Sequence, residues 1–139
     1  MRVAGVPRLV RTVVVASSVF AFLSLVPVHA DRPTAIGARV ILVGEDRYQF
    51  EVNIAHLDDS WEHFVDRWEV VGKGGKILAT DRLYYPRIGE NIVWRLLKGI
   101  KVDPGTEWVV YRLHDLKHGY GREKLVRMPV KGKTDTGWQ

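Results

Sequence analysis

The chain is 139 residues long and contains no cysteine, so it has room for about one domain behind a short leader, with no disulfide to brace it. Its formal charge of +5 comes from 21 Lys and Arg against 16 Asp and Glu. Three of those arginines (Arg2, Arg8 and Arg11) stand in the leader, and the near-balance left behind excludes a nucleic-acid-binding surface.

Arg2, Arg8 and Arg11 precede an uncharged, largely apolar run from Thr12 to Val28, and Val28-His29-Ala30 then sets small residues at −3 and −1. This is the pattern of a signal peptide over residues 1–30, cleaved after Ala30. The run falls short of the ~20 residues that span a bilayer comfortably, so no membrane span is expected after cleavage. With no cysteine after the run and no twin arginine, neither lipid attachment nor twin-arginine export is expected. The protein is therefore expected to be exported, periplasmic or secreted.

Residues 31–37 are expected to carry little structure. Arg39–Val43 is a short β-branched run, halted by Gly44-Glu45-Asp46. Tyr48, Phe50, Val52 and Ile54 alternate with Gln49, Glu51 and Asn53, the period of a strand with one buried face. Phe64–Val71 predicts a third strand, and Gly72-Lys73-Gly74-Gly75 predicts a hairpin into a fourth, Lys76–Leu83. Three more are predicted over Asn91–Leu97, Glu107–His114 and Arg122–Val130. The spacing predicts an all-β, seven-stranded sandwich over residues 31–130, with a flexible tail over 131–139. Trp68, in mid-strand, is expected to be buried.

Ile100-Lys101-Val102-Asp103-Pro104-Gly105-Thr106-Glu107-Trp108 resembles the E–F corner of fibronectin type III domains. The resemblance implies an immunoglobulin or fibronectin type III-like sandwich in which Trp108, where those domains carry tyrosine, plugs the corner between the sheets. The inward face of the sixth strand stays open, since Val109, Tyr111 and Leu113 offer one phase and Arg112 the other.

If consecutive strands are antiparallel, loops 55–62, 84–90 and 115–121 share one end of the sandwich. All four histidines after the leader fall there: His56, His63, His114 and His118. Converging imidazoles suit a transition metal, copper or zinc, and these four are the candidate ligands. Asp58, Asp59, Glu62, Asp66 and Asp115 accompany them. His63 and Asp66, three apart, face opposite sides of an ideal strand. No HxH or HExxH motif is present. Ser60, the single serine after the leader, lacks a nucleophile elbow, so no enzyme is expected. A second reading makes Trp61, Tyr84, Tyr85, Arg87 and Tyr120 contact anchors for a cell-envelope protein, with no metal, because aromatics and arginine dominate binding hot spots.

His56, Trp61, His63, Phe64, Asp66, Trp68, Glu69 and Val70, followed by His114-Asp115-Leu116-Lys117-His118-Gly119-Tyr120-Gly121, resemble small exported bacterial proteins of unassigned function. That resemblance implies the same fold and loop cluster and brings no activity with it. Relatives of this kind often read His-Pro-His in the third loop where this chain has Tyr85-Pro86-Arg87, so any ligands supplied from that loop are absent here.

Overall fold

The computed structural model describes Gly5 and residues 32–139; the expected signal peptide and its cleavage site lie outside the described residues. Among the described residues there is no α-helix, and none is long and apolar enough to cross a membrane.

Among the described residues, eight strands form two antiparallel sheets. Strands β1 (Thr34–Gly44), β2 (Arg47–Ala55) and β5 (Ile92–Lys101) make a three-stranded sheet in the order β1-β2-β5. Strands β4 (Ile77–Arg82), β3 (Val65–Val71) and β6 (Trp108–Asp115) make the other. There β6 pairs on its far side with both β7 (Gly119–Tyr120) and β8 (Lys124–Arg127). The count is eight, not seven, because the predicted last strand shortens to Lys124–Arg127 and two residues of the preceding turn pair with the end of β6.

The alternation in β2 places Phe50, Val52 and Ile54 in the core, as its period requires. Opposite them β6 buries Val109, Tyr111 and Leu113, which settles its inward phase. Trp68 is fully buried, its ring centroid 5.2 Å from that of Tyr111. Tyr111 also meets Phe50 edge-on at 6.2 Å and donates its hydroxyl to the Arg39 carbonyl at 3.1 Å. Burial pushes the Tyr111 phenol far above its usual range. Tyr111 therefore links the two sheets. Trp108 does not plug the corner. It lies one residue out of phase with Val109, stays 44% exposed and stacks under Arg127.

Two further expectations are corrected. Within the expected loose leader of residues 31–37, the described part is not loose: β1 begins at Thr34, and Pro33 is fully buried. Nor is 131–139 a flexible tail. It runs antiparallel along β1, with Leu42 N–H donating to Thr134 O (2.7 Å), Thr136 N–H to Val40 O (3.1 Å) and Gln139 N–H to Ala38 O (2.8 Å). The reason lies in β1, a sheet-edge strand whose backbone groups need partners. The Gln139 side chain also reaches β8, accepting from Arg127 N–H and donating to Arg127 O. The tail thus closes one open side of the sandwich. Arg95 of β5 closes the other through two hydrogen bonds to Asp81 of β4, at 2.7 and 2.9 Å. Asp81 also accepts from the Trp68 indole at 2.9 Å.

Candidate metal centre

Antiparallel order brings the connections after β2, β4 and β6 to one end, and backbone bonds join them there. His56 N–H donates to Asn91 O at 3.2 Å, and Leu116 N–H donates to Phe64 O, also at 3.2 Å. The histidine cluster is built on this frame.

Asp115 ends β6 in the same inward phase as Val109, Tyr111 and Leu113, so its carboxylate enters the interior and is fully buried. One oxygen, Oδ1, accepts from the Lys117 and His118 amides at 2.6 and 3.2 Å, which shapes the turn after the strand. The other, Oδ2, collects three imidazoles: His56 Nε2 at 2.8 Å, His63 Nε2 at 3.1 Å and His118 Nδ1 at 3.2 Å. The ring centroids of His56 and His63 lie 5.1 Å apart, those of His63 and His118 4.8 Å, each pair nearly perpendicular.

The far nitrogens of the first two rings are also held. His56 Nδ1 is 2.6 Å from Asp58 Oδ1, and His63 Nδ1 is 3.0 Å from Asp59 Oδ2. Asp58 is itself buried and accepts from the Val65 amide at 3.1 Å and the Arg87 amide at 2.8 Å. His63 is placed by a tight turn in which its N–H donates to Ser60 O and its carbonyl accepts from Asp59 N–H.

Burial is the largest influence on the Asp115 carboxyl and pushes it up. Hydrogen bonds from the Lys117 amide, the His118 imidazole and the His118 amide, with His63 close by, outweigh it and hold the group below the ordinary carboxylate value. Asp59, out in solvent, is lowered chiefly by its bond to His63 and then by the Ser60 hydroxyl.

Of the four histidines singled out in the sequence, His56, His63 and His118 come together. His114 does not join them, because it sits next to Asp115 and strand alternation turns it to the outer face. There His114 Nδ1 is 2.5 Å from Asp66 Oδ1, and its ring meets Tyr120 edge-on at 4.8 Å. Asp115 was legible only as one acid among several. With the phase of β6 known, its inward aim follows directly. His56, His63 and Asp115 each present a ligand atom within 4.8 Å of the others.

The proposed contact anchors divide as well. Tyr84 and Trp61 are 76% and 65% exposed, and Tyr85 is half exposed beneath the Arg87 guanidinium at 4.7 Å. Tyr120 instead lies between Arg67 and Arg112 on the outer sheet face, its hydroxyl donating to Glu69.

No family model matches the chain. A search of solved structures likewise gives no match. Among curated proteins, a Halomicrobium mukohataei protein named "Putative lipoprotein" is 31% identical over 86 residues, which is 62% of this chain and 42% of that protein. The chain thus spans less than half the length of the curated relative it matches.

Proposed function

We propose that the chain is an exported, non-catalytic binding domain that holds one divalent transition-metal ion between His56, His63, His118 and Asp115. The observation that carries this is the convergence of three imidazole nitrogens within 3.2 Å of the single oxygen Asp115 Oδ2. Ligand atoms bonded ~2.0–2.2 Å from a tetrahedral zinc lie about 3.3–3.6 Å apart. His56, His63 and Asp115 already present theirs within 4.8 Å of one another, and His118, with Nδ1 3.2 Å from Asp115 Oδ2, is the fourth ligand once its ring swings in. Carboxylates behind two of the rings are the usual second support of metal-bound histidine. Three nitrogens and one oxygen, without sulfur, favour Zn²⁺ or Cu²⁺ over Cu⁺.

Export is supported by the leader of the sequence and by the name of the Halomicrobium relative. An immunoglobulin or fibronectin type III-like sandwich is supported by the strand order, β1-β2-β5 facing β4-β3-β6-β8. The test is calorimetric titration of the exported protein with Zn²⁺ and Cu²⁺. Sub-micromolar binding that the His63→Ala/His118→Ala double variant loses supports the site, and no binding by the folded wild type refutes it.

A second reading rests on the exposure of Trp61, Tyr84 and Tyr85 at the same end. These would dock a cell-envelope protein without any metal. Photo-cross-linking from position 84 tests it. A defined envelope product that Trp61→Ala removes supports docking, and the absence of any product counts against it.

A further inference from the structure

Asp58 connects the candidate metal centre to a part of the molecule that the ion would not touch. Its Oδ1 faces His56 Nδ1 at 2.6 Å, while its Oδ2 accepts the Arg87 amide at 2.8 Å. Arg87 lies in the middle of the connection between β4 and β5. That connection is anchored at its start by Leu83 N–H to Asp66 O and at its end by His56 N–H to Asn91 O. Between these anchors Tyr84, Tyr85 and Ile88 are exposed. The Arg87 amide is the hydrogen bond by which this middle stretch reaches the rest of the domain, since Glu90 N–H turns back to Arg87 O and the Arg87 side chain pairs with Glu90.

A cation on Nε2 draws electron density from an imidazole and makes the N–H at Nδ1 a stronger donor to the carboxylate behind it. At His56 that carboxylate is Asp58. Fixing one of its oxygens more firmly fixes the other, and with it the Arg87 amide. We propose that metal occupancy at His56, His63, His118 and Asp115 tightens the β4–β5 connection through Asp58. The exposed Tyr84–Tyr85 face is then held in one arrangement in the loaded protein and is looser without the ion. The proposal rests on the metal-binding reading above. Linkage makes the effect reciprocal, so whatever loosens the Arg87 amide also weakens metal binding by the same factor.

The experiment is native-state hydrogen exchange read at single amides, with and without saturating Zn²⁺. The reference is the buried Val102, whose N–H donates to Asp46 O at the opposite end. Zinc is expected to slow exchange at Arg87 by about fivefold or more and to leave Val102 unchanged. Asp58→Asn is expected to bind zinc about 10–100-fold more weakly and to lose the response at Arg87. Arg87→Pro, which deletes the N–H, is the second variant should Asp58→Asn fail to fold; it is expected to weaken zinc binding, and unchanged affinity overturns the proposal. Histidine-dependent zinc binding with unaltered Arg87 exchange overturns the coupling alone and leaves the metal site standing. No zinc binding at all overturns both.

Discussion

A buried carboxylate that stays ionised makes the domain sensitive to acid. The folded value of Asp115 lies below its unfolded value of about 3.9. A group depressed in this way contributes stability that is fully present above the unfolded value and lost as pH falls through the folded one. Urea midpoints should therefore be level near neutrality and drop below about pH 4, and Asp115→Asn should flatten that acid limb. An unchanged limb in the variant would assign the acid loss to other carboxylates. Trp68 supplies a second test at this scale. It is fully buried against Tyr111 and its indole is satisfied by Asp81, so Trp68→Ala should cost about 3–5 kcal/mol in equilibrium unfolding.

Among the elements, β2 was legible because it keeps one apolar face in alternation, and burial imposes that pattern on the sequence. β3 was legible from its apolar residues and the glycine turn that ends it, although a register shift between Val65 and Arg67 breaks its alternation. β6 was ambiguous: Arg112 and Tyr111 each offered an inward phase, and only packing against Phe50 and Trp68 decides between them. Asp115 became visible as a centre of the cluster with that decision, and His114 left the cluster with it. The docking of the carboxy-terminal segment along β1 was not legible at all. Lys131–Gln139 carries no alternation, because it docks chiefly through backbone groups, the Thr136 hydroxyl and the Gln139 amide, with Arg39 reaching both Asp135 and the Trp138 ring. Removing residues 134–139 should therefore destabilise the domain by a few kcal/mol, at about 1 kcal/mol per lost bond. It should also cause self-association through the bared edge of β1, read by sedimentation. Near the site, a Cβ on Gly121 would run into the Pro33 carbonyl oxygen, which is backbone and cannot swing aside. Gly121→Ala should cost about 1–3 kcal/mol, measured by thermal unfolding.

For the molecule as a whole, turn signals and antiparallel order were enough to place three loops, and hence most of the histidines, at one end. They could not say which side chains turn inward there. That depends on the single-residue phase of each strand and on bends such as the Ser60–His63 turn, where alternation no longer applies. Both lateral openings of the sandwich are closed by polar ties, Arg95–Asp81 on one side and the Gln139 amide on the other, so the sheets are held at both margins as well as through the core.

The path by which the chain enters the sandwich fixes a direction. Thr34 pairs with Ala55, the residue before His56, and bridges to Arg122, while the Arg32 guanidinium donates to the Tyr120 carbonyl. Entry is thus at the imidazole-bearing end. A tether attached ahead of Arg32 would orient the domain with that end toward its anchorage and the Pro104 corner outward, so that a surface-immobilised sample should expose its two ends unequally to a probe.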